Sequence, residues 1–234
     1  MLWTAFLATA LFFIYGGIAS GGGQARAEIV APTGQIPRDS YKTWSLFLVC
    51  NPNWVTPDKS SDLANLYRRF RAFGDAIGSD NLAVWFWTRQ TTIDDPRLAD
   101  SVDVARGADY CKELKLRPTS GPFLVVTSAY PELRGFPRDR AVFELGDLQP
   151  ADLATLLDDL TDQLLLEGKV DAARVGAAPA PPLPSTPTAA GSTTSLWIRL
   201  LEGAQRSMIG FGCRLRMRID TGVLTAELRE CAGP

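Results

Sequence analysis

Four cysteines and no histidine limit the chemistry open to this 234-residue chain. Cys50, Cys111, Cys213 and Cys231 contain no C-x-x-C pair, so their spacing indicates neither a zinc ribbon nor a redox dithiol. Without histidine there is no Ser-His-Asp triad, no imidazole base and no ordinary catalytic zinc site. The stretch placed where chemistry is usually found is residues 44–59. Leu46-Phe47-Leu48-Val49 is a continuous apolar run, the pattern of a strand buried on both faces. Asn51-Pro52-Asn53 then turns the chain, and Trp54-Val55-Thr56-Pro57-Asp58-Lys59 leads into a helix. Open α/β sheets bind ligands at such strand-to-helix junctions. Here the junction offers no activated nucleophile and no metal-ligand cluster, so no catalytic residue, metal or cofactor is assigned. Cys50 ends the strand and is expected in or beside the core, the usual place of a free cysteine. Cys111 falls on the apolar stripe of a helix. A Cys50–Cys111 disulfide would suit an exported protein, but spacing alone does not select it.

The elements around this junction follow from periodicity. Leu63, Leu66, Tyr67, Phe70, Phe73 and Ile77 recur at three- and four-residue steps, predicting a helix over 61–77. Ser60 or Ser61 would cap its start and Gly78 would end it. Arg68, Arg69 and Arg71 lie off the stripe and read as a solvated face. Residues 82–87 form a second apolar strand. Val104, Ala108, Cys111 and Leu114 predict a helix over about 100–116. Residues 123–126 and 141–145 read as two further strands. Pro150 suits a first helical turn, and Leu153, Leu156, Leu157, Leu160 and Leu164 form the stripe of a closing helix. The order is β-α-β-α-β-β-α. A helical crossover makes the first two strands parallel, and the short link makes the last two antiparallel. The fold class is α/β, a mixed sheet flanked by helices over residues 40–168.

This arrangement resembles the thioredoxin-like fold. In that family a buried strand runs into Trp-Cys-x-Pro-Cys-Lys at a helix start. Trp54, Pro57 and Lys59 match that motif, whereas Val55 and Asp58 replace the two cysteines. The family also places a cis-proline just before its third strand, and Gly121-Pro122 stands there. Phe143-Glu144-Leu145-Gly146-Asp147 resembles its last strand and glycine turn. The resemblance implies a groove around Trp54, Val55, Thr56, Pro57, Asp58, Gly121 and Pro122 that holds an extended polypeptide. Dithiol exchange needs an ionisable thiol and a resolving thiol. Val55 and Asp58 supply neither.

The ends have their own composition. Residues 1–18 carry no charged side chain and are marginally long enough to span a bilayer, with residues 2–18 as the membrane contact. Ala25-Arg26-Ala27 has the small-x-small pattern of a secretory cleavage site. Residues 1–27 are therefore read either as a signal peptide cut after Ala27 or as an uncleaved anchor. Residues 176–194 contain five prolines and read as a semi-extended linker. In residues 195–234, Leu196, Trp197, Leu200, Leu201 and Ala204 predict a short amphipathic helix. A β-hairpin about Asp220-Thr221-Gly222 follows. A two-residue turn would set Arg216 opposite Glu227 and Leu215 opposite Leu228. It would bring Cys213 close enough to Cys231 for a disulfide after a slight shift. Arg214, Arg216 and Arg218 share one face, read as solvated and partly paired with acids. The hairpin is expected to dock on the main domain or on a partner, because forty residues rarely fold alone.

Formal charge is −2, with 24 basic and 26 acidic residues, which disfavours nucleic-acid binding. The functional expectation is a redox-inactive module that binds a protein partner in the cell envelope. It would be anchored on the periplasmic side of the inner membrane or released to the periplasm. The competing expectation is a thiol-disulfide oxidoreductase or redox chaperone using Cys50 or the tail cysteines.

Overall fold

The structure is a computed structural model that describes residues 26–30, 33–38, 41–89, 92, 95–117, 119–175, 216–220 and 225–228. The sequence alternates as expected through its centre. Strand β1 (Arg26–Val30) precedes β2 (Thr43–Leu48), α1 (Ser60–Ala76), β3 (Asn81–Phe86), α2 (Val104–Glu113), β4 (Phe123–Thr127) and β5 (Arg140–Glu144). Helix α3 (Pro150–Val175) and strands β6 (Arg216–Asp220) and β7 (Thr225–Leu228) complete the order. All seven strands form one sheet in the order β1-β3-β2-β4-β5-β6-β7. β2 and β3 are parallel, with Leu46 opposite Val84. β2 and β4 are antiparallel, as are β4 and β5.

Every residue of β2, β3 and β4 is buried, which is why these strands lack an alternating polar pattern. One face carries Phe47, Ala83, Trp85, Leu124 and Phe143 against the stripes of α1 and α3. The other face carries Leu46, Val84, Phe86, Val125 and Val142 against Tyr110, Cys111 and Leu114 of α2. A strap of residues 33–38 extends this second layer and buries Ile36. It is held by Arg106 Nη1 donating to Gly34 O (3.0 Å), Tyr130 Oη to Ile36 O (2.9 Å) and Trp44 Nε1 to Pro37 O (3.2 Å).

Several local expectations need correction. β1 was not foreseen as a strand; it pairs in parallel with β3, Ala27 opposite Ala83. α1 starts without a serine cap. Pro57–Lys59 forms a 3-10 turn that runs straight into it, and Ser60 N donates to Pro57 O. Gly78 follows the helix at φ +82°, as a glycine terminator should. α2 begins at Val104, because Asp103 caps it by accepting from Arg106 N at 3.0 Å. Residues 100 and 101, expected to be helical, lie in a separate 3-10 turn, Ala99–Ser101. α3 runs to Val175, past the expected boundary at 168.

The tail hairpin joins the same sheet. β6 pairs antiparallel with β5, Val142 opposite Arg218. The hairpin register is two residues from the expected one. Arg218 lies opposite Glu227 in place of Arg216, and Met217 opposite Leu228 in place of Leu215. Asp220 pairs with Thr225, so four residues connect the strands in place of two. Arg140 Nη2 meets Asp220 Oδ2 at 3.2 Å across the β5–β6 seam. Burial lowers the Arg140 pKa from its ordinary value, and the Asp220 carboxylate opposes that shift. Arg218 was expected on a solvated face. Instead its Nη2 donates to Leu114 O at 2.8 Å, just past the carbonyl end of α2, where a cation suits the helix dipole. The apolar run 1–18, the linker 176–194, the segment 196–204, Arg214, Cys213 and Cys231 lie outside the described residues. Among the described residues, no helix is long and apolar enough to cross a membrane.

Candidate partner-binding groove

The junction after β2 is shaped by three local devices. Asn51 Oδ1 accepts from Asn53 N at 3.0 Å and caps a 3-10 turn, Pro52–Val55. Asn51 Nδ2 donates to Thr119 O at 3.0 Å, tying this loop to the one before β4. At the base, Cys50 is bonded to Cys111 of α2, with their Cα atoms 6.3 Å apart. Cys50 Sγ also lies 3.4 Å from Gly107 O; a disulfide sulfur has no proton to donate, so this is a contact only. Gly107 has a steric reason to be glycine, because a Cβ there would collide with Val49 O. α2 therefore rests directly on the backbone at the end of β2.

Trp54 is half-buried and lies over the crossing of two glycines. Cβ atoms built on Gly121 and Gly146 would stand 3.2 and 3.3 Å from Trp54 Cζ2, and each would collide with the other glycine's backbone. Leu145 N donates to Pro122 O at 2.8 Å, closing this crossing. Beside it opens a groove of about 380 Å³ between Trp54, the first turns of α1 and the loop entering α3. Its lining is mixed and more polar than apolar, with Leu66, Pro122, Leu148 and Leu153 beside Lys59, Asp62, Asn65, Asp147 and Gln149. Lys59 Nζ stands 5.2 Å from the Trp54 ring centroid and 3.0 Å from Asp62 Oδ2.

The structure thus brings together part of the expected set. Trp54 and Pro122 line the groove, and Gly121 supports the Trp54 ring. Val55, Thr56, Pro57 and Asp58 do not line it. Val55 packs against the core, and Thr56 Oγ1 lies 3.0 Å from Asn53 O. Pro122 was implied to be cis, but no peptide bond among the described residues is cis.

Lys59, Asp62, Asn65, Gly146 and Gln149 were not foreseen. The i, i+3 spacing of Lys59, Asp62 and Asn65 was a usable signal, because it stacks three polar side chains on one helix edge. The Gly121–Gly146 contact had no local signal.

The Asp58 carboxyl is fully exposed and held below the usual carboxylate range, first by the Thr56 hydroxyl and then by its own amide. The hydroxyl has one proton and also faces Asn53 O, so the amide is the firmer partner. A proton-transfer group at neutral pH needs a shift in the opposite direction. Asp58 is therefore a charged group at a helix N-terminus, where the dipole favours it. Burial raises the Tyr110 pKa, and its hydroxyl donates to Pro131 O at 3.0 Å; it too is structural. Among the described residues, no three acidic or sulfur-bearing side chains converge to hold a metal ion. The arrangement can hold a side chain between apolar and polar groups. No family model, curated protein or solved structure matches this chain.

Proposed function

We propose that this chain is a redox-inactive, thioredoxin-like protein of the cell envelope that binds a segment of a partner protein at the Trp54 groove. The observation that carries the reading is the Trp54 ring lying over Gly121 and Gly146 beside an open groove of mixed polar and apolar lining. A large aromatic with one face seated and a polar rim around it is the usual form of a protein-binding hot spot. The β-α-β-α-β-β-α order, with its parallel first pair and antiparallel last pair, supports the thioredoxin-like likeness. The Cys50–Cys111 disulfide supports an oxidising compartment.

The test is capture of envelope proteins by purified wild type and by a Trp54→Ala/Pro122→Ala variant with an unchanged circular dichroism spectrum. Loss of a hot-spot aromatic costs about 2 kcal/mol or more, so the variant is expected to bind at least about 30-fold more weakly. Equal capture by the folded variant overturns the reading.

The competing reading, a thiol-disulfide oxidoreductase, would use Cys50 or the tail cysteines. Cys50 and Cys111 are only 3% and 2% exposed, which keeps an attacking thiolate away from their sulfurs. Insulin-disulfide reduction is expected to proceed no faster with the protein than with dithiothreitol alone. A catalytic rate would instead favour the oxidoreductase.

A further inference from the structure

We propose that the partner segment held at the Trp54 groove presents a basic side chain, best an arginine, which stacks against the Trp54 ring and pairs with Asp147. The inference rests on the groove reading above and names the chemistry of its occupant.

The charges along the groove are unequal. Among the described residues that line it, Lys59 is the one cation, and Asp62 and Asp147 are two carboxylates. Lys59 Nζ already meets Asp62 Oδ2 at 3.0 Å. Asp147 is exposed, and no ion pair among the described residues engages its carboxylate. One negative charge is therefore left over beside the ring. The helix dipoles do not use it. The first turns of α1 and α3 carry Asp62 and Asp152, so each helix start already has a carboxylate of its own.

The backbone holds Asp147 in place before any partner arrives. It follows Gly146, whose added Cβ would stand 3.3 Å from Trp54 Cζ2. Leu148 N donates to Leu145 O at 3.1 Å, closing a turn with Gly146 and Asp147 at its two central positions. Leu145 N donates to Pro122 O at 2.8 Å, which ties that turn to the start of β4. A carboxylate on a tied turn loses little freedom on binding, so more of its attraction is left for the partner.

The chain itself shows that the ring accepts a cation. Lys59 Nζ stands over Trp54 at 5.2 Å from the ring centroid, inside the range of about 6 Å for cation–π attraction. Lys59 and Asp62 are both exposed, and an exposed ion pair is weak, so the ammonium yields readily to a competitor. Arginine suits the place best. Its planar guanidinium stacks on an indole and can still fork to a carboxylate with two N–H donors. An acidic side chain would find only Lys59, already engaged by Asp62, and would face Asp147 across the groove.

The test is selection of phage-displayed random peptides on the immobilised full chain, after removal of those that also bind Trp54→Ala/Pro122→Ala. The Trp54-dependent peptides are expected to share an arginine or lysine. A fluorescein-labelled copy of the best should bind Asp147→Asn about tenfold or more weakly, the usual loss when one member of a close interfacial charge pair is removed. It should bind Lys59→Gln at least as tightly as wild type, because that ammonium competes for the same ring. Selection on Asp147→Lys should return acidic peptides in place of basic ones, a reversal that a damaged fold would not produce. Trp54-dependent peptides with no shared basic residue overturn the proposal and leave the groove reading standing. So does undiminished binding to Asp147→Asn, weaker binding to Lys59→Gln, or an unchanged selection on Asp147→Lys. If no Trp54-dependent peptide emerges, the groove reading fails and this proposal fails with it.

Discussion

Removing both Cys50 and Cys111 as Cys50→Ala/Cys111→Ala is expected to lower the unfolding free energy by about 4 kcal/mol. The bridge closes a loop with a sequence separation of 61 residues, and chain-entropy arguments give that magnitude for such a loop. Alanine is the right replacement, because both sulfurs are buried and serine would add two polar groups to an apolar layer. Urea unfolding of the variant and of oxidised wild type measures the difference. A loss under about 1 kcal/mol would mean that the two thiols are free in the native protein. The effect should also reach the groove. Cys50 is the last fixed point before the loop that carries Trp54, so amide exchange of residues 51–59 should rise more in this variant than that of β4 and β5.

Trp85→Ala is expected to cost about 3–5 kcal/mol, the range for emptying a large aromatic site in a packed core. Trp85 is 1% exposed at the centre of the α1/α3 face. Its ring stacks on Phe47 at 5.9 Å and meets Phe70 edge-on at 5.2 Å and Tyr67 at 5.8 Å. Each such pair adds about 0.5–1.5 kcal/mol beyond area. A gentler change at its neighbour Trp87 keeps a ring in the core. Trp87 Nε1, like Trp85 Nε1, is buried with no hydrogen-bond partner among the described residues. Such a group costs about 1–3 kcal/mol, so Trp87→Phe should recover much of what it loses in area. Thermal melts of the two variants should therefore differ widely, with Trp87→Phe near wild type. Equal losses would show that the Trp87 indole N–H is satisfied.

Most of the central fold was legible because its signals are local. A continuous apolar run such as residues 46–49 states that both faces of a strand are covered. The stripe from Leu63 to Ile77 states which side of α1 faces inward. The terminating role of Gly78 is also local, since it depends on one backbone angle. The loop 51–59 was found for the same reason: its turn residues and its tryptophan lie within nine positions.

The missed features all depend on residues far apart in sequence. Arg26 and Ala27 read as part of a processing region, and Glu28-Ile29-Val30 is too short to state a strand by itself, until β3 offers a free edge and Gly74 makes room for Ala27. Gly121 and Gly146 are 25 positions apart, and only the return of the chain after β5 brings them under Trp54. The hairpin register was misjudged because turn length was inferred from Thr221-Gly222, without β5 beside it to align Val142 with Arg218.

The sequence alone determined the α/β alternation, the buried central strands and the absence of a C-x-x-C pair, because these depend on residue type and short-range spacing. Only the tertiary structure decided that Cys50 pairs with Cys111, that β1 and the hairpin extend the sheet, and that Trp54 borders a groove with Lys59, Asp62 and Gln149. Each of these is a meeting of distant segments, set by which strand edge or helix face was left open, and no local pattern encodes that.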